Sequence, residues 1–217
     1  MVAHRFAHHF DEPPLTPLQQ QLQQIGVPPQ YHPCSFASLE PEPDREAFDL
    51  CQHYAQAGEC QGKRGLLLRG QTGNGKTSLA VAILRQRLAQ GQPAQRLRFW
   101  NVPIGMYHLR AGRLHPDQAT GHILALTQHE LVVLDDLGKY QVTAWVQEQL
   151  YLLLNELWAE DKQVVLTTNL PAGALVQLLD PALVSRILGL CHEVRLSGPD
   201  RRGSWPDWTD LDGEWSG

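Results

Sequence analysis

Five short apolar runs punctuate the chain: "RGLLL", "QRLRFWNV", "LVVLDDLG", "KQVVLTTNL" and "CHEVRL". Each reads as a strand, bounded by turn or polar residues. Two of them, Leu131–Leu134 and Val164–Leu166, are apolar without alternation. A strand of that kind is covered on both faces. Between the runs the apolar period changes from two to that of a helix. The spacing predicts a helix over Lys76–Gln90, with Leu79, Ile83 and Leu84 inward and Gly91 ending it. A second covers Val142–Glu160, with Val142, Val146, Leu150, Leu153 and Leu157 on one side. "DPALVSRILGL" predicts a third, and Asp44–Ala57 a fourth before the first strand. Residues 103–129 read as one or two short helices around the polar stretch "AGRLHPDQATG". Strands alternating with helices predict an α/β fold in three layers around a central parallel five-stranded sheet.

Ahead of this pattern lies "LTPLQQQLQQIGVPP". Thr16 suits an N-cap, Pro17 the first helical position and Gly26 the stop. Leu15, Leu18, Leu22 and Ile25 fall on one face. Two readings of that stripe stand: packing on its own domain, or docking on a partner protein. Residues 1–30 are read as an N-terminal extension, 31–202 as the main domain and 203–217 as a tail. His4, His8 and His9 lie in a stretch read as solvated tail in preference to a metal site.

Composition adds limits. At 217 residues, with four cysteines and no zinc-knuckle spacing, one self-sufficient core is expected. Reduced thiols and the lack of an apolar leader or long apolar run point to a cytoplasmic protein with no membrane span. The net charge is −5, but Asp207, Asp210, Asp212 and Glu214 in the tail supply four of those charges. The body is therefore near neutral, and nucleic-acid contact would need a local patch. Trp205, Trp208 and Trp215 lie among those acids, either folding back or docking elsewhere.

The chemistry begins at "GQTGNGKTS". Gly70, Gln71, Thr72, Gly73, Asn74, Gly75, Lys76, Thr77 and Ser78 follow a strand and open a helix, the context of a phosphate loop. Glycines let backbone N–H groups wrap phosphates, and the helix N-terminus adds positive potential. Lys76 is assigned to the β- and γ-phosphates of ATP, and Thr77 to Mg²⁺. Asp135, at the end of an apolar strand, is the second Mg²⁺ residue, and Asp136 the group that polarises attacking water. Asn169 ends the next strand, on the same sheet edge, and is assigned to the γ-phosphate or the lytic water. Arg186 sits on a mostly apolar helix. It must pair, snorkel or leave the surface to stabilise phosphate charge on a neighbouring subunit.

Phosphate loop, Asp-Asp strand, Asn-terminated strand and Ser-Arg, in that order, resemble the AAA+ ATPases. More narrowly, the chain is similar to the DnaC/DnaI/IstB group of bacterial helicase loaders and transposition ATPases over roughly residues 25–202. "IGVPPQYHPCSFASLEP", "VQEQLYLLLNELW", "TTNLP" and "SRILGLC" carry that likeness. The resemblance implies an ATP·Mg²⁺ switch that forms a homo-oligomer, with Arg186 reaching the next subunit's nucleotide, and that engages single-stranded DNA. It implies a replicative helicase as partner, gripped by residues 15–26, or alternatively a transposase. No C-terminal helical lid follows "EVRLSG", and Arg201 or Arg202 is the candidate replacement for the lid's sensor arginine. Asp136 stands where many AAA+ members have glutamate, which implies slow hydrolysis. His108, Arg110, Arg113 and His115, beside Tyr107, form the candidate DNA patch. A small-molecule P-loop kinase is disfavoured, since no arginine-rich lid is visible. A module that holds ATP without hydrolysing it is the remaining alternative.

Overall fold

The computed structural model describes residues 14–111, 116–138 and 143–201. Five strands form one sheet: β1 (Gly65–Gly70), β2 (Leu97–Asn101), β3 (Leu131–Asp135), β4 (Gln163–Thr168) and β5 (Cys191–Leu196). Their order is β2-β3-β4-β1-β5 and every pairing is parallel. All five carboxyl ends therefore share one edge, and β1 is central enough to be flanked on both sides.

Alternate residues of the central strands β1, β3 and β4 feed two separate cores. On one face Leu66, Leu68, Val133 and Val165 pack with α2 (Arg45–Ala57) and α3 (Lys76–Ala89). On the other, Leu67, Val132, Leu134, Val164 and Leu166 meet α6 (Ala144–Ala159) and α8 (Pro181–Leu190). This two-sided burial is why the central strands β1, β3 and β4 read as apolar runs, whereas the edge strands β2 and β5 keep polar residues such as Arg98, His192 and Arg195. Residues 103–129 contribute α4 (Val102–Ala111) and α5 (Pro116–Ala125), and α7 (Ala172–Leu178) follows β4. Helix α6 starts at Ala144, its N-cap Thr143 accepting from the Val146 N–H. Among the described residues, no helix is long and apolar enough to cross a membrane. All four cysteines are unpaired.

The N-terminal stripe packs on the domain. Helix α1 (Pro17–Gln24) opens with a reciprocal capping box between Thr16 and Gln19. Leu22 and Ile25 are fully buried among the α3-side core, while Leu15, at the stripe's start, remains exposed. The Ile25 carbonyl accepts from the Phe99 N–H at 2.8 Å, tying the end of this segment to edge strand β2. Gly26, at φ +93°, makes the turn, and a Cβ there would lie 2.7 Å from the Phe99 carbonyl oxygen.

Candidate nucleotide site

The loop between β1 and α3 is built on three glycines with distinct tasks. Gly73 and Gly75 take φ of +83° and +97°, a left-handed backbone that other L-residues adopt at a cost. Gly70 has a different reason: a Cβ would lie 2.2 Å from Asn74 Nδ2 and 2.3 Å from the Leu196 carbonyl oxygen. Asn74, almost fully buried, donates from Nδ2 to that carbonyl at 3.0 Å. The loop is thus fastened to the end of β5.

Lys76 folds back over the loop. Its Nζ donates to the carbonyls of Gly70 (2.8 Å) and Gln71 (2.6 Å) and to Asn74 Oδ1 (3.0 Å). Those acceptors fix the ammonium group at the loop's concavity, where phosphate oxygens would compete for its donors.

Thr77, in the first turn of α3, donates to Asp135 Oδ1 at 2.8 Å. Asp135 is nearly buried and also receives Thr167 Oγ1 at 2.7 Å and Asn101 Nδ2 at 3.3 Å. Burial pushes its carboxyl above the ordinary value, with Asp136 adding to the rise. The donors from Thr167, Thr77 and Asn101 oppose it. A hydroxyl beside a carboxylate is a hard-oxygen donor pair, and it fits a Mg²⁺ that keeps most of its water.

Asp136 takes φ +62°, and its backbone N–H donates to Thr167 Oγ1 at 2.9 Å. A left-handed conformation at a non-glycine residue is uncommon, and aspartate is among those that tolerate it. It turns the chain at the carboxyl end of β3, and the residue lines the same cavity as the loop. Asn169 lines it too, its Nδ2 donating to Thr72 Oγ1 at 3.3 Å. Together these residues surround a cavity of about 250 Å³.

Arg186 is not brought there. Its Cζ lies 4.4 Å from the ring centroid of Trp158, on the face made by α6 and α8. Arg201 does reach the cavity: its N–H donates to the Gly73 carbonyl, and its guanidinium to the carbonyls of Glu40 (2.6 Å) and Glu42 (3.0 Å). In the basic patch, His108, Arg110 and Tyr107 are exposed on α4. Arg113, His115, Arg202, the N-terminal histidines and the acidic tail lie outside the described residues.

Several participants escaped the sequence reading. Asn101 ends β2 on the ligand edge, and the strand-end logic applied to Asn169 would have found it. Thr167 was inside the quoted "TTN" but carried no assigned role. Tyr31, Leu39 and Phe48, from the segments before β1, supply an apolar wall to the cavity. Asp44 joins them, and nothing in its local sequence marks it: its carboxylate accepts from Ser197 N (2.7 Å), Ser197 Oγ (2.9 Å) and Gly198 N (3.0 Å).

A polar phosphate loop beside an apolar pocket suits a nucleotide, with its charged and aromatic halves. Comparisons agree. The family described as "IstB-like ATP binding protein" matches residues 51–203. The phage-like element PBSX protein XkdC of Bacillus subtilis is 28% identical over 71% of this chain and 59% of its own length. The putative ATP-binding protein Rv3427c in an insertion sequence of Mycobacterium tuberculosis is 26% identical over 63% of this chain and 55% of its own length. The chain thus spans little more than half of either relative. In fold it is similar to the crystal structure of the DnaC helicase loader. That comparison has a TM-score of 0.65 at 20% identity and covers 78% of this chain and 99% of that one. The match across most of the chain, on a sheet whose carboxyl edge carries the phosphate loop, means that this chain belongs to the IstB-like ATP-binding protein family.

Proposed function

We propose that the protein is an ATP·Mg²⁺-dependent assembly switch of the helicase-loader type, with slow hydrolysis. One observation carries this reading. Among the described residues, the only cations lining the cavity are Lys76 and Arg201, and Arg201 spends its guanidinium on two backbone carbonyls. Beyond Lys76 and Arg201 a triphosphate in this cavity meets no further cation among the described residues, and Arg186 of another copy would supply one.

In this reading the backbone N–H groups of the loop and Lys76 hold the phosphates. Thr77 and Asp135 would hold Mg²⁺, which when bound would neutralise phosphate charge. Asn169 orients the γ-phosphate or the water, and Asp136 accepts the water's proton. Asp136 has one methylene fewer than glutamate, so its shorter reach favours slow turnover. Tyr31, Leu39 and Phe48 would take the base. Single-stranded DNA would be met by the exposed α4 residues Tyr107, His108 and Arg110, and its affinity should fall steeply with salt. The expected setting is the cytoplasm.

The test is the mass of the 24.4 kDa protein with a nonhydrolysable ATP analogue, alone and with a hexameric replicative helicase. Growth into an oligomer that captures the helicase is the expected result. A lone monomer under every condition would remove both assembly and loading. A second reading is supported by the likeness to the insertion-sequence ATP-binding protein: a regulator that acts on DNA with a transposase. Capture of a transposase in place of the helicase selects it.

A further inference from the structure

Among the described residues, most arginines donate to protein oxygens. Arg69 pairs with Glu193, Arg96 with Glu130, and Arg201 with the carbonyls of Glu40 and Glu42. Arg186 differs. Among the described residues no carboxylate or carbonyl accepts from it, and its recorded partner is the Trp158 ring, 4.4 Å from Cζ to centroid. Trp158 itself is 53% exposed, a large apolar surface kept outside both cores. One turn beyond Arg186, Gly189 leaves the surface open: a Cβ there would meet nothing within 4 Å.

A guanidinium held over an indole is attracted by the ring's negative face, while its N–H donors point outward in its own plane. Such a group is ordered without being neutralised. An acidic partner at this position would also fix the side chain but would consume the donors. The geometry points to Trp158 as a positioning residue: its ring holds Arg186 edge-out, ready for the phosphate oxygens of a nucleotide bound by a second copy of this chain. The occupant follows from charge complementarity. The face offers an unspent cation, and the cavity, lined by Asp44 and Asp136 as well as Lys76, is short of one. This inference rests on the proposed role of Arg186 in trans, and adds the residue that prepares it.

The experiment uses full-length protein and measures ATP turnover under conditions where it assembles. Trp158→Leu keeps apolar bulk but removes the ring's quadrupole, and its half-exposed position should spare the fold. It is expected to lower kcat about tenfold with little change in KM, while Trp158→Phe stays close to wild type. Mixing then locates the effect. Lys76→Ala copies and Arg186→Ala copies, each inactive alone, should recover turnover together. Adding Trp158→Leu to the Lys76→Ala copy, which donates the finger, should lower that recovery about tenfold. Adding it to the Arg186→Ala copy should leave recovery intact. If Trp158→Leu turns over like wild type while Arg186→Ala is inactive, the platform is wrong and the trans role of Arg186 stands. Equal loss in the Leu and Phe variants also overturns the platform. Wild-type turnover by Arg186→Ala removes both.

Discussion

Thr77 and Asp135, 58 residues apart, meet at 2.8 Å, hydroxyl to carboxylate, at the base of the phosphate loop. The contact joins the first turn of α3 to the end of β3. It also states the site's main electrostatic tension: a buried carboxylate whose stability as an anion depends on neighbours and on a cation.

The first prediction concerns that tension. Because burial raises the Asp135 pKa, the folded state binds this proton more tightly than the unfolded state does. Its contribution to stability is fully present below the ordinary carboxylate value and is lost as pH rises through the raised folded value. Mg²⁺ requires the anion, so metal-dependent nucleotide binding should show the reverse trend, weakening as pH falls through the same window. Asp135→Asn should flatten both profiles and abolish the Mg²⁺ dependence. Titrations of a fluorescent ATP analogue with and without Mg²⁺, alongside denaturant melts across the window, check this.

Gly70→Ala tests the loop's attachment to β5. The new methyl would overlap Asn74 Nδ2 and the Leu196 carbonyl, and the latter is backbone of a paired strand that cannot yield easily. A loss of roughly 1–3 kcal/mol is expected, as for other overpacked sites. Nucleotide affinity should fall with it. Chemical denaturation and equilibrium binding, measured on the same preparation, read the two effects.

Asp44→Ala removes a carboxylate that caps the backbone just after β5. Ser197 N, Ser197 Oγ and Gly198 N would all lose their acceptor. Hydrogen bonds to charged groups contribute about 1.5–3 kcal/mol, and a destabilisation of that order is expected. Asp44→Asn, which keeps one acceptor oxygen, should lose less. Unfolding midpoints of the two variants decide it, and similar midpoints for Asp44→Ala and wild type would show that the contact contributes nothing.

Leu22→Ala probes the N-terminal helix. Leu22 is fully buried on the α3 side of the sheet. Deleting its side chain should cost about 2–5 kcal/mol, like other core leucines. Leu15→Ala, at an exposed position of the same stripe, should change stability by less than about 0.5 kcal/mol. A thermal or denaturant comparison of the pair separates core packing from a surface reserved for partners.

The sequence by itself determined the five strands, the helices between them except α7, the phosphate loop and the two strand-end carboxylates. Each of these is a local pattern: a period, a glycine spacing, a polar residue at the end of an apolar run. Local patterns are visible because backbone geometry and one-dimensional spacing enforce them. It also placed Asp135, Asp136 and Asn169 on one edge, since parallel strands bring their carboxyl ends together. Three things only the tertiary structure decided. The Leu22–Ile25 stripe lies in the domain's own core, a choice between two apolar surfaces that a periodic pattern cannot make. Asp44 closes on Ser197 and Gly198, and Asn101 on Asp135, through contacts between segments distant in the chain. Arg186 stacks on Trp158 rather than on an acid, because side-chain partners on adjoining helices depend on how α6 and α8 pack. Periodicity gives each helix a face, but it does not say which residue of the next helix that face will meet.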